Sequence, residues 1–147
     1  MLLAGCGLAS REFEVSQDFQ AGGGPPFFTA SFDSTKLLAP YSADVGAVKS
    51  VTLTGARLEA TDNVPDLSFI SGASISVSAQ VLPDALLATL PGAPTKGQAS
   101  VQLQVTQKEL KPYLQAGGVV SASIDYSPTP VTARSLRLTL TLRGSLL

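Results

Sequence analysis

Few side chains in this sequence are suited to chemistry, and their types exclude most reaction classes. The 147 residues include no histidine, no tryptophan and a single cysteine, Cys6. Without histidine there is no Ser-His-Asp triad. One cysteine rules out an intrachain disulfide, and it cannot supply the ligand sets of zinc, haem or iron–sulfur centres. A serine nucleophile assisted by lysine needs Ser-x-x-Lys. The residues three before Lys36, Lys49, Lys96, Lys108 and Lys111 are Asp33, Gly46, Ala93, Val105 and Lys108. No Gly-x-Ser-x-Gly elbow is present. Gly22-Gly23-Gly24 runs into Pro25-Pro26 rather than into a lysine and a helix, so it reads as a turn and not a phosphate loop.

Carboxylates are what remains. Glu12 and Glu14 share one face of a predicted strand, where a pair of acids is the requirement of glycoside hydrolysis and also an ordinary solvated surface. Glu59, Asp62, Asn63 and Asp66 gather oxygen donors around one turn, the ligand type calcium prefers. Their spacing matches no EF-hand, and Asx residues stabilise turns without any metal. Glu59, Asp62 and Asp66 are therefore the candidates for a structural calcium site, with a plain Asx turn as the alternative. No catalytic residues and no cofactor are expected.

Composition narrows the partners. Charged residues make up 14% of the chain and the net charge is −1. That leaves no basic footprint for nucleic acid. No run of about 18 apolar residues is present, so no membrane-spanning helix is expected. A transmembrane barrel would need aromatic girdles, and aromatics are 6% of the chain.

The opening Leu3-Ala4-Gly5-Cys6 resembles the lipobox of bacterial lipoproteins. The resemblance implies that Cys6 becomes the first residue of the mature chain and carries acyl groups. Each buried methylene then contributes about 0.8 kcal/mol of anchoring, and two or more chains hold a protein stably on a bilayer. Gly7 follows, where members retained at the inner membrane carry Asp, so the resemblance implies the outer membrane. Only five residues precede Cys6. A signal peptide needs a basic segment and an apolar one, so either the true start lies upstream or the chain is trimmed. Residues 1–10 are accordingly read as a truncated signal and short tether, and 11–147 as one domain.

Strands must position everything else, because the dominant hydrophobic period is two. Alternation is clear over Arg11–Asp18, Phe27–Phe32, Val48–Ala60, Ser74–Val81, Ala99–Val105, Val119–Tyr126 and Arg134–Arg143, with a short apolar strand at Leu86–Leu90. Within Val48–Ala60 the apolar phase changes at Gly55, which marks a bulge. Asp33–Ala47 reads as a long connection. Thr106-Gln107-Lys108-Glu109 matches a capping box and predicts one short helical turn near 107–111, limited by Pro112. The expected fold is all-β: an antiparallel sandwich, immunoglobulin-like or related, of about seven to nine strands.

One face of that sandwich carries Ser74, Ser76, Ser78 and Gln80 as an uncharged strip, with Gln102 and Gln104 as a further candidate part of it. Such a strip is either a solvated Ser/Thr face or an interaction surface, through β-augmentation or sheet packing. The expectation that follows is a non-catalytic, lipid-anchored module of the bacterial envelope. It is held to the membrane through Cys6, and an envelope protein or a glycan is its expected partner. The alternatives are a carrier of small hydrophobic ligands, similar to LEA- and water-stress-type envelope sandwiches, which needs a cavity between its sheets, and a carboxylate-based hydrolase.

Overall fold

A computed structural model describes residues 10–39, 46 and 48–146. Leu3, Ala4, Gly5 and Cys6, and with them the lipobox reading, lie outside the described residues. Among the described residues nine strands run in chain order: β1 (Ser10–Ala21), β2 (Phe27–Phe32), β3 (Val48–Ala60), β4 (Ile70–Ala79), β5 (Leu82–Thr89), β6 (Ser100–Gln102), β7 (Gln104–Val105), β8 (Val119–Tyr126) and β9 (Arg134–Leu146). They form a four-stranded sheet, β1-β9-β3-β6, and a five-stranded sheet, β2-β8-β4-β5-β7. Every pairing is antiparallel. The expected antiparallel sandwich is therefore present.

The strand order defines which sandwich it is. The first strand pairs with the last, β2 with β8, β3 with β6, and β4 with β5. An antiparallel ribbon wrapped into two sheets in this way is a jelly roll. The immunoglobulin order would instead pair β1 with β2.

Period-two alternation explains the core. Leu136, Leu138, Leu140 and Leu142 of β9 are all buried, as are Val51, Leu53, Ala56 and Leu58 of β3. Opposite them the five-stranded sheet contributes Ile75 and Val77 from β4 and Val120, Ala122 and Ile124 from β8. The inner faces thus fill the space between the sheets, each fully buried Leu or Ile contributing roughly 1.5–3 kcal/mol. Phe19 of β1 stacks on Phe28 of β2, with ring centroids 4.1 Å apart, and closes one edge across the two sheets. The bulge expected at Gly55 is present: the β3–β9 register shifts between Leu53 and Gly55, which keeps Leu53 and Ala56 both inward.

Several local expectations are corrected. Ala99–Val105 is not one strand. It breaks at Leu103, so that β6 joins the four-stranded sheet and β7 the five-stranded one. Val81, the last residue of the alternating Ser74–Val81 run, occupies the β4–β5 turn and is 82% exposed. The short apolar strand runs over Leu82–Thr89 and so includes Pro83.

The helical turn near 107–111 is absent. Gln107 takes a positive φ of 57°, and the Thr106 hydroxyl donates to the Leu86 carbonyl instead of capping. Glu109 accepts from the Val51 amide, and tertiary pairing therefore overrides the local motif. The helix of this region is shifted to Lys111–Gln115, here α2, where Pro112 sits in the first turn and starts the helix rather than limiting it. A further short helix, α1 (Ser34–Leu37), lies in what the sequence reads as a connection. Asp33 caps it by accepting from the Lys36 amide, and Leu37 and Leu38 are buried.

Tyr126 is buried, and its hydroxyl has no protein partner. Burial pushes its pKa up to about 12. An unsatisfied buried hydroxyl contributes nothing favourable to folding. Tyr126→Phe is therefore expected to leave the melting temperature unchanged or raise it, as read by circular dichroism.

Candidate functional site

Four connections meet at one pole of the sandwich: β1–β2, β3–β4, β5–β6 and β8–β9. Arg134, the first residue of β9, ties them together. Its Nε donates to Asp62 Oδ2 at 2.8 Å and one terminal nitrogen to Asp62 Oδ1 at 3.2 Å. The other terminal nitrogen donates to the Asp66 carbonyl at 2.9 Å, and the Val64 carbonyl accepts as well. The guanidinium lies 5.2 Å from the centre of the Phe69 ring, a cation–π contact.

Asp62 also accepts from the amides of Ser135 at 3.0 Å and Val64 at 3.1 Å. Arg134 and these amides hold its carboxyl well below the usual range. Asp66 accepts from the amides of Ser68 and Gly97, which lowers its pKa too and joins the β3–β4 and β5–β6 connections.

Between the β3–β4 and β8–β9 connections lies an open cleft of about 660 Å³, walled by Val64, Phe69, Pro128, Pro130 and Val131. Val131 is fully exposed at its rim. Arg134 lines the cleft, and the hydrogen bonds it makes go to Asp62 and to backbone carbonyls. The guanidinium therefore works as a loop clamp. Gly22 of the β1–β2 turn packs against the same region with φ at 115°. A Cβ there would meet the Pro130 carbonyl oxygen at 2.9 Å, so only glycine fits.

The calcium candidates are not brought together as a ligand set. Asp62 faces Arg134, Asp66 caps backbone amides, and Glu59 pairs with Arg57 on β3 at 3.5 Å. Among the described residues no group of three or more acidic or sulfur ligands could hold a metal ion. The turn is held by an arginine, a signal the sequence carried only as an isolated Arg at the start of the last strand. Glu12 bonds Arg143 at 3.3 Å across the β1–β9 pair. Glu14 lies opposite Thr141 on the same outer face.

The Ser74–Ser76–Ser78 strip does lie on an outer face, with Gln80 in the turn beyond it. β-Augmentation on this strand is corrected: β4 is interior, paired to β8 on one side and β5 on the other, so no backbone edge is free there. Gln102 and Gln104 are corrected too, because the break at Leu103 sends them to different sheets, and only Gln104 joins the strip's face.

Register extends the strip across the whole five-stranded sheet. One row runs Gln104, Thr89, Ser74, Ser123, Thr29, and the next runs Leu86, Ser76, Ser121, Ser31. None of the hydroxyls in these rows bonds another protein group. The row beyond is Gly72, Asp125 and Phe27, with Phe27 49% exposed. The five strands of this sheet contain two charged residues, Asp84 and Asp125, and no cation. The opposite sheet carries Arg143–Glu12, Arg137–Asp18 and Arg57–Glu59 pairs.

Fold and site together define a jelly-roll sandwich with a clamped loop pole and one uncharged hydroxyl face. No family model matches the chain, and no curated protein matches it. Solved structures overlap it loosely. Turnip yellow mosaic virus aligns at 16% identity over 93% of this chain and 96% of that one, with a TM-score of 0.35. Desmodium yellow mottle tymovirus aligns at 14% identity over 93% and 90%, with a TM-score of 0.34. Infectious bursal disease virus, Gx strain, aligns at 14% over 93% of this chain and 32% of that one, with a TM-score of 0.38. Overlap this loose carries no argument about function.

Removing the clamp exposes its cost. Arg134→Ala leaves two carbonyls without their side-chain donor and Asp62 with only its two amide partners, and is expected to destabilise by about 2 kcal/mol, measured by urea unfolding. Because the folded-state pKa of Asp62 is depressed, its contribution is complete above the ordinary Asp value and is lost as pH falls below it. Stability should therefore drop between about pH 4 and pH 2, and Asp62→Asn should flatten that drop. In the same loop cluster, Gly22→Ala is expected to cost about 1–3 kcal/mol in the same unfolding assay.

Proposed function

We propose that this chain is a non-catalytic, lipid-anchored module of the bacterial cell envelope, displaying a sandwich that binds a partner. The single observation that carries the reading is Leu3-Ala4-Gly5-Cys6 and its resemblance to a lipobox. Support for a non-catalytic role comes from the acids. Asp62 and Asp66 are consumed by a guanidinium and by backbone amides, and Glu12 by Arg143. The chain also lacks the histidine most acid–base catalysis uses.

The anchor would set the orientation. β1 begins at Ser10, and the stretch from Cys6 to Ser10 spans no more than about 14 Å when extended. The start of β1 lies at the pole opposite the clamped loops, because the β1–β2 turn that packs on Pro130 is at the far end of that strand. An acylated Cys6 holds the sandwich against the bilayer and turns the loop pole and its cleft away from the membrane.

The test is the intact mass of the protein extracted from membranes of its native host, beside a Cys6→Ser variant. The expected product begins at Cys6 with added acyl mass, and Cys6→Ser leaves the membrane fraction unacylated. A wild-type chain that keeps Met1 and carries no lipid overturns the reading.

A further inference from the structure

The two outer faces of the sandwich differ in a way the fold does not require. Charges on the four-stranded sheet are paired, Arg143 with Glu12 and Arg137 with Asp18 across strands and Arg57 with Glu59 along β3, as solvated sheets usually arrange them. On the five-stranded sheet, one uncharged row of side chains crosses all five strands and the next crosses four, and their hydroxyls have no protein partner. Strand spacing of about 4.8 Å and a two-residue repeat of about 6.7 Å set these groups on a regular grid. Each hydroxyl both donates and accepts.

We infer that this hydroxyl face, with Phe27 and Asp125 at its end, is a binding surface for a neutral glycan. The inference deepens the reading of the domain as a binding module and rests on it. Four observations select the ligand class. The strands offer no cation, which removes phosphate polymers, nucleic acid and acidic polysaccharide as partners. The rows are dominated by serine and threonine, and serine is depleted in the cores of protein–protein interfaces. A grid of groups that both donate and accept matches a ligand whose own groups are hydroxyls.

Finally, the row Phe27–Asp125–Gly72 places an exposed ring beside an exposed carboxylate, with a glycine that leaves the space next to Asp125 open. A Cβ on Gly72 would meet Asp125 Oδ2 at 3.4 Å. The apolar face of a sugar ring stacks on an aromatic side chain, and a carboxylate accepts from neighbouring hydroxyls. Stacking on Phe27 and acceptance by Asp125 thus fix one sugar unit, while Thr29, Ser123 and Ser74 meet the hydroxyls of the next.

The experiment uses the full 147-residue chain in native affinity electrophoresis. Gels are cast with a neutral polysaccharide (laminarin, dextran or hydroxyethylcellulose) or with the polyanion polygalacturonate. The expected result is retardation in at least one neutral gel and none in polygalacturonate. Phe27→Ala, and separately the pair Ser76→Lys with Ser123→Lys, weaken the retardation at least tenfold with melting curves unchanged. Glu12→Gln on the opposite sheet leaves it as in the wild type. Should the lysine pair fail to fold, Phe27→Ala and Asp125→Asn carry the test.

Three results overturn the inference: no retardation in any neutral gel, equal retardation by Phe27→Ala and wild type, or a dimer in sedimentation velocity that the lysine pair dissociates. The last would assign the face to a second copy. Acylation of Cys6 is read separately by mass, so an acylated chain that ignores every glycan sinks this inference alone. An unacylated chain that binds glycan sinks only the anchor.

Discussion

The fold depends on the insertion of β9 between β1 and β3. Its Leu136, Leu138, Leu140 and Leu142 point into the core, and its backbone pairs with β1 along twelve positions on one side and with β3 on the other. The strand that completes the four-stranded sheet is thus the last in the chain, and its partner is the first. β1 has no sheet neighbour until residues more than a hundred positions apart meet, as Ser10 and Ser145 do, and β3 meets β9 across Val48–Leu146 to Ala60–Leu136. Loop-closure entropy must be met before those contacts stabilise anything, which is why sandwiches dominated by non-local pairing fold slowly. The same insertion sets Arg134, at the head of β9, beside the β3–β4 connection, so the core strand and the loop clamp are one continuous piece of chain.

That clamp illustrates how a domain poor in charge uses the charges it has. Arg134 satisfies one carboxylate and two backbone carbonyls while covering an aromatic ring. Loop carbonyls near a buried pole need donors, and arginine's fixed fork supplies several at once. The remaining ion pairs of the sandwich lie across β1, β9 and β3. They are exposed and contribute little singly, but they give the four-stranded sheet a charged exterior. The five-stranded sheet has none of this, and its two faces differ as apolar against hydroxyl rather than as apolar against charged.

Strand content and the inward residues of β2, β3, β8 and β9 were legible in the sequence because alternation of apolar and polar residues depends only on which side of a pleated chain faces the core. Gly55 announced its bulge for the same reason: a change of phase must happen somewhere if both halves of β3 are to face inward. The lipobox resemblance at Cys6 is likewise a property of the sequence. Long-range outcomes were not legible. The capping-box pattern at Thr106–Glu109 is a genuine local preference, yet Glu109 meets the Val51 amide, and that contact exists only once β3 is in place. Asp62 and Asp66 looked like an oxygen-rich turn, but Asp62 is neutralised by an arginine 72 positions further on, and the Asp66 carboxylate accepts from the Ser68 and Gly97 amides.

The sequence by itself determined the class of the fold and the inward phase of its regular strands, since these follow from residue type and period alone. Only the tertiary structure decided the jelly-roll strand order, the split of Ala99–Val105 between two sheets at Leu103, and the Arg134 clamp. It also decided that Ser74 and Ser76 belong to rows crossing five and four strands rather than to a free edge. The physical reason is common to all of these. Period two says which face a residue occupies but not which strand lies beside it, and neighbours across strands are chosen by how the whole ribbon wraps to bury both apolar faces at once.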